Sequence, residues 1–203
     1  RRTAWETGCA AHEAAMVNIN WCDRRDIMKL LVTGGAGFIG TSLCEYILAY
    51  TEHTIVNIDK LTYAADSQAL SVLQQNARYC LYQADITDAQ AIWKIFETEE
   101  PDSVLNLAAE SHVDNSIASP DPFIDTNIKG VAVLLEVAQD YYAKLDNKDR
   151  ANFRFLHVST DEVYGSLGNE GFFMEESPYR PNSPYSASKA ASDHLVRAWY
   201  ITY

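Results

Sequence analysis

The chain has 203 residues, 47% of them apolar, and a formal net charge of −12. That composition supplies one full hydrophobic core, and the acidity argues against nucleic acid or an anionic membrane surface as a partner. Cys9, Cys22, Cys44 and Cys80 form no Cys-x-x-Cys or metal spacing, so no metal is expected, the thiols read as those of a reduced cytoplasmic protein, and no apolar run reaches membrane-span length.

Residues 1–27 do not share the pattern of the rest of the chain. Glu6, His12 and Glu13 break up any apolar stretch of a signal peptide, and His12-Glu13 lacks the second histidine of a zinc-protease helix. A strand starts directly after Met28, which reads as the natural start. The preceding segment is therefore expected to be a disordered leader, with a short helix around residues 10–17 as the alternative.

From Met28 onward, strands and helices alternate. KLLVTG is a short apolar run stopped by glycine, a buried strand. FIGTSLCEYILAY carries Phe38, Leu43, Ile47 and Tyr50 at helical spacing. HTIVNID, ARYCLYQAD, DSVLNLAA and NFRFLHVST are the remaining strands, and ADSQALSVLQQ and DAQAIWKIFETEE are helices, the latter opened by Asp88 as a cap. Residues 121–145 predict one long helix with proline near its start, and residues 183–203 a last helix still running where the chain stops. Residues 164–184, rich in Gly, Pro, Ser and Glu, are an irregular segment long enough to be functional. This alternation, with strands apolar on both sides, predicts an α/β fold: a Rossmann-like doubly wound parallel sheet over residues 28–203.

VTGGAGFIG places Gly34, Gly37 and Gly40 between a predicted strand and a predicted helix. Glycines at that spacing permit a tight turn, close approach to a pyrophosphate, and helix–sheet contact, while the helix N-terminus offers free N–H groups to phosphate. Asp59 lies 19 positions after Gly40 at the end of the second strand, where a carboxylate binds a ribose 2′-hydroxyl and repels a 2′-phosphate. NAD is therefore favoured over NADP, with the adjacent Lys60 as the one cation that could tolerate the phosphate. Three further points lie along the strand ends. Asp85, beside Ile86, is a candidate acceptor for the adenine amino group. Leu107, Ala108, Ala109 and Ser111 keep that strand end small, and Thr126 sits early in the long helix.

Tyr185 and Lys189 are four apart at the start of the last helix and share a face. An ammonium there is expected to lower the phenol's pKa and let it act as a base. Thr160, at the end of the fifth strand, is placed to share a hydrogen bond with a substrate hydroxyl and Tyr185. Next to it stand two acids, Asp161 and Glu162. Ser159-x-x-Glu162 also fits a capping box that would only start a helix.

The stretches VTGGAGFIG, DKLTYA, LAAESHVDNSI, TNIKG, VSTDEVYG and SPYSASKAASDHLVRAWY together resemble the extended short-chain dehydrogenase/reductase family, in its branch of NAD-dependent epimerases and dehydratases. The STDEVYG stretch is most similar to the sugar-nucleotide 4,6-dehydratases, because epimerases of the family usually lack the Asp-Glu pair. The resemblance implies tightly bound NAD, held additionally by Phe38, Ile39, Lys60, Leu61, Thr62, Ile86, Tyr185 and Lys189, and dTDP-glucose or a similar nucleoside-diphosphate hexose held by Ser111 and Thr160. It implies Tyr185 as base for the sugar 4-hydroxyl, Glu162 as base at C5 and Asp161 as acid for the departing 6-hydroxyl, and a homodimer built on the two long helices. A 4-epimerase, a dehydratase of another nucleotide sugar, or a non-catalytic NAD module remain as alternatives. Most of the family's substrate-gripping part would follow Tyr203, so the chain by itself is expected to be inactive.

Overall fold

The computed structural model describes residues 27–168 and 170–203. Apart from Ile27, the expected leader lies outside the described residues. Five strands, β1 (Lys29–Thr33), β2 (Thr54–Asp59), β3 (Tyr79–Gln83), β4 (Ser103–Asn106) and β5 (Arg154–His157), form one parallel sheet in the order β3-β2-β1-β4-β5. The chain winds outward from β1 to β3, then returns to the other side of β1 for β4 and β5. That reversal opens a crevice at the carboxyl ends of β1 and β4, where ligands of such sheets bind.

Helices cover both faces. α1 (Phe38–Tyr50) and α2 (Ser67–Leu73) pack on the face that carries Leu30, Val32 and Ile55. α3 (Ala89–Glu99) packs on the opposite face with Leu31, Val56, Ile58 and Val104. Neighbours in β1 thus point into different cores, which is why the strand reads as a continuous apolar run. Each fully buried side chain of this kind contributes about 1.5–3 kcal/mol.

Local chemistry fixes the helix ends. Asp66 caps α2 by accepting from the N–H groups of Gln68 and Ala69, and Asp88 caps α3 by accepting from Ala91 N, the role expected of it. Arg78 donates to the carbonyls of Leu48, Thr51 and His53 at 2.6–2.8 Å, satisfying the carboxyl end of α1.

The elements differ from the sequence expectation after β4. A short α4 (Val113–Ala118) follows β4. The long helix is not uniform: α5 (Asp121–Phe123) passes through a π-helical turn (Ile124–Gly130) into α6 (Val131–Lys144). Within that turn Thr126 and Asn127 are both buried, and Gly130 meets Ile86 so closely that a Cβ would lie 2.6 Å from its Cδ1. A capping box at Ser159 does not form, because the Ser159 hydroxyl is engaged elsewhere. Thr160 is the cap instead, accepting from Glu162 N, and it opens only a single 3-10 turn (Asp161–Tyr164). α7 (Asn147–Asn152) precedes β5, and α8 (Pro184–Thr202) opens with a Ser183–Ser186 capping box. Among the described residues no helix is long and apolar enough to cross a membrane.

Candidate active site

The glycine loop is built from the sheet outward. Gly34 has φ +72°, a conformation that disfavours side chains, and a Cβ on it would lie 2.7 Å from the backbone of Ala108. A Cβ on Gly40 would lie 2.2 Å from Gly34 O, so the first turn of α1 sits directly on the loop. Gly37 differs: its Cβ would meet only Gly34 O, at 3.5 Å, and would otherwise project into the crevice. It caps α1 without a side chain, and no carboxylate occupies the helix's first turn. The arrangement leaves room and unpaired N–H groups for an anion.

Side chains at the end of β2 hold this loop in place. Asn57, fully buried, accepts from Gly35 N at 2.9 Å and donates to the Tyr79 hydroxyl at 2.8 Å. Asp59 accepts from Ala36 N at 3.0 Å and from Leu61 N at 2.8 Å. Each of its oxygens keeps a lone pair for a further donor. Lys60 is tied down on three sides, to Glu110 at 3.4 Å, to Thr126 at 3.4 Å and to Asp85 at 3.8 Å. Burial pushes the Asp85 carboxyl up, but the Thr87 N–H and hydroxyl together with Lys60 outweigh it and leave Asp85 below the ordinary carboxylate range.

The crevice has a volume of about 520 Å³, within the usual range for small-molecule sites. Its wall contains the glycine loop with Phe38 and Ile39, then Asp59, Lys60 and Thr62, then Asp85 and Ile86. Leu107, Ala108, Ala109 and Ser111 form the wall after β4, and Thr126, Tyr185 and Lys189 close it. Leu61 does not line the crevice: its side chain packs on the core under α1 and α2. Thr160, Asp161 and Glu162 stand past Val158 and Ser159, which mark the crevice's last wall.

Tyr185 and Lys189 come from the first two turns of α8. Tyr185 N donates to Ser116 Oγ at 3.1 Å, which ties α8 to α4. Asn127 joins the same corner, accepting from Glu110 N and donating to Ser188 Oγ, both at 2.9 Å. Lys189 is 5% exposed, and its ammonium donates to Val158 O at 2.6 Å. Burial lowers its pKa, with Asp193 opposing. The expectation that this ammonium depresses the Tyr185 phenol is not met. Burial raises the phenol's pKa, and the Glu162 and Asp161 carboxylates raise it further against a favourable hydrogen bond from Thr160. The reason is geometric: Lys189 points its charge at a backbone carbonyl.

Asn57, Ser116, Asn127, His157 and Asp193 were not singled out from the sequence. Asn57 alone carries an advance signal, a polar residue between the core positions Val56 and Ile58 in VNID.

The chain that carries this crevice is similar to known proteins. The family model described as GDP-mannose 4,6 dehydratase matches residues 31–203. The chain belongs to this family. It is 54% identical over 178 residues to a dTDP-glucose 4,6-dehydratase of Haemophilus influenzae, covering 87% of this chain and 53% of that one. It is 51% identical over 185 residues to dTDP-glucose 4,6-dehydratase 1 of Escherichia coli K12, covering 87% and 51%. The chain thus spans about half the length of the curated relatives it matches. Among solved structures, DesIV of Streptomyces venezuelae, a dTDP-glucose 4,6-dehydratase crystallised with NAD, is 41% identical with a TM-score of 0.77, over 87% of this chain and 52% of that one. A UDP-glucose 4-epimerase of Thermus thermophilus, also in complex with NAD, is 28% identical with a TM-score of 0.74, covering 87% and 52%. A similar architecture thus occurs in a dehydratase and in an epimerase, so the fold alone does not separate the two activities.

Proposed function

We propose that the protein is a sugar-nucleotide 4,6-dehydratase that retains NAD and converts dTDP-glucose to the 4-keto-6-deoxy sugar nucleotide with loss of water. The observation that carries this reading is the Asp161–Glu162 turn, capped by Thr160 and standing beside Tyr185 at the end of the crevice. Oxidation at one sugar carbon needs only a base and a cofactor. Elimination across the neighbouring carbons needs a second base and an acid as well.

The residues fit NAD. A ligand backbone can lie against Gly37, where a Cβ would intrude, and the unpaired N–H groups at the start of α1 suit its pyrophosphate. Asp59 retains acceptor capacity for ribose hydroxyls, and a 2′-phosphate would meet its charge while the nearby Lys60 is already paired. Bound there, NAD⁺ would supply a hydride acceptor for C4 oxidation and, once reduced, a hydride donor for C6.

Tyr185 takes the proton of the sugar 4-hydroxyl, and Thr160 orders that hydroxyl and the phenol. Burial holds the phenol's pKa above its ordinary value, with the Glu162 and Asp161 carboxylates adding to the rise. The 4-ketone acidifies C5, Glu162 removes the C5 proton, Asp161 gives its proton to the 6-hydroxyl as it leaves as water, and Glu162 returns a proton to C5 when C6 is reduced. The protein pairs with a second copy through α6 and α8, and the exposed Tyr200, Ile201 and Tyr203 at the end of α8 supply apolar surface for association.

The test incubates the protein expressed from its complete coding sequence with dTDP-glucose. The expected product is the 4-keto-6-deoxy sugar nucleotide, with no net NADH released. A C4 epimer with no keto product would remove this reading.

A further inference from the structure

Successive turns of α8 grip the end of β5. Tyr185 faces Thr160, Lys189 donates to the Val158 carbonyl at 2.6 Å, and Asp193 holds the residues on either side of it. The three helix residues are four apart and so lie in one stripe along α8. Asp193 Oδ2 accepts from the Ser159 hydroxyl at 2.5 Å and from the Tyr179 hydroxyl at 2.9 Å, while Oδ1 lies 3.5 Å from His157 Nε2.

The same network continues inward. His157 Nε2 also meets Ser192 Oγ at 3.2 Å, its Nδ1 meets Asn106 Nδ2 at 2.9 Å, and Asn106 Oδ1 accepts from Thr33 Oγ1 at 2.6 Å. Three parallel strands are therefore linked to α8 by side chains. The Asp193 side chain is 12% exposed and that of His157 only 4%. Tyr179 brings in the irregular segment between the 3-10 turn and α8, and its ring also meets Tyr164 of that turn edge-on at 5.4 Å.

We propose that Asp193 is a positioning residue whose carboxylate fixes the end of β5 against α8 and thereby sets Thr160, Asp161 and Glu162 at their working distance from Tyr185. This role rests on the dehydratase reading above. Asp193 lies outside the crevice wall, so it acts through Ser159, Tyr179 and His157 rather than on substrate. Thr160 is the residue after Ser159. Releasing the Ser159 anchor frees the cap of the 3-10 turn, and with it both acids. Displacements of an ångström at such groups are enough to lower a rate by orders of magnitude.

The test uses the protein expressed from its complete coding sequence, with NAD and dTDP-glucose. Asp193→Ala is expected to lower kcat by about tenfold or more, with KM and the Kd for NAD within about threefold of wild type. Asp193→Asn keeps an oxygen acceptor for Ser159 and Tyr179 and is expected to recover most of the lost kcat. Amide hydrogen exchange across the 3-10 turn should follow the same order, faster in the alanine variant and near wild type in the asparagine variant. A kcat for Asp193→Ala within about threefold of wild type overturns the proposal, as does an asparagine variant no better than alanine. Should Asp193→Ala fail to fold, Ser159→Ala combined with Tyr179→Phe removes both hydroxyl donors and carries the same expectation. If the wild-type protein turns over no dTDP-glucose, the dehydratase reading falls separately. Exchange then decides the tether alone, and unchanged protection of the turn in Asp193→Ala overturns it.

Discussion

The Lys189 ammonium and the Val158 carbonyl oxygen lie 2.6 Å apart, joining the second turn of α8 to the end of β5. The contact satisfies a charge that is almost wholly buried, at the place where the crevice meets the proposed acid pair. Replacing Lys189 by Met removes a buried charge, which relieves desolvation, and strands the carbonyl, which costs about 1–3 kcal/mol. The two effects oppose each other. Folding stability is expected to change by less than about 2 kcal/mol, while turnover falls by about a hundredfold or more. Denaturant midpoints and kcat, measured on one preparation, check the separation.

His157 predicts a pH dependence of stability. Burial, reinforced by the Lys189 charge and opposed by Asp193, lowers its pKa from 6.5 to about 4. Between those values the unfolded chain binds the proton that the folded chain refuses. Stability therefore rises with pH across that window and is lost as pH falls through it. The loss amounts to about 3 kcal/mol, at 1.36 kcal/mol per pKa unit. Denaturant titrations from pH 7 to about pH 4 should show this slope, and His157→Gln should flatten it.

Two glycines of the loop separate folding from binding. Gly40→Ala drives a Cβ to 2.2 Å from Gly34 O and 2.6 Å from Gly35 Cα, which backbone cannot easily yield to. It is expected to destabilise the domain by several kcal/mol, at least the upper part of the ~1–3 kcal/mol range of overpacking. Gly37→Ala meets only one atom, at 3.5 Å, and fills the crevice instead. It is expected to leave the melting temperature unchanged and weaken NAD by about tenfold or more, read by calorimetric titration.

Thr160 serves both its own turn and the phenol. Thr160→Val keeps the shape but removes the acceptor for Glu162 N and the partner of Tyr185. Turnover is expected to fall by about 10²-fold, with Thr160→Ser restoring most of it. Equal rates for Val and wild type would show that the hydroxyl takes no part.

Pairing of two copies is checked by sedimentation at micromolar concentration, on the protein from its complete coding sequence. A dimer is expected there, and Tyr200→Glu or Ile201→Glu on the exposed end of α8 is expected to shift the equilibrium toward monomer.

Much of this molecule is local in origin, and that part could be read without coordinates. A short apolar run, LLV, stopped just before glycine, Asp88 ahead of a helix, and Tyr185 one turn before Lys189 all draw their meaning from neighbours in the chain. The alternation of strands and helices favours parallel pairing with right-handed crossovers, and the reversal of the sheet order at β1 then places the crevice. Local spacing also fits features that the fold overrides. Ser159 fits a capping box by spacing, yet its hydroxyl bonds to Asp193, 34 residues away, and the 3-10 turn takes Thr160 as its cap. The long helix is uniform by pattern, yet a π-helical turn sets Thr126 against Lys60, 66 residues away.

By itself, the sequence determined the five strands and the sheet class, and it marked the glycine cradle with Asp59, the acid pair and the Tyr–Lys pair as candidates. Only the tertiary structure decided what those groups feel. It turned the Lys189 charge onto Val158, raised rather than lowered the Tyr185 phenol, kept His157 neutral, and made Asp193 the point where β5, α8 and the irregular segment meet. The physical reason is range. Secondary-structure signals act over a few residues, whereas burial and charge–charge effects depend on side chains that the sheet brings together from positions 22 to 75 residues apart, such as Gly35 with Asn57 and Ala108 with Thr33.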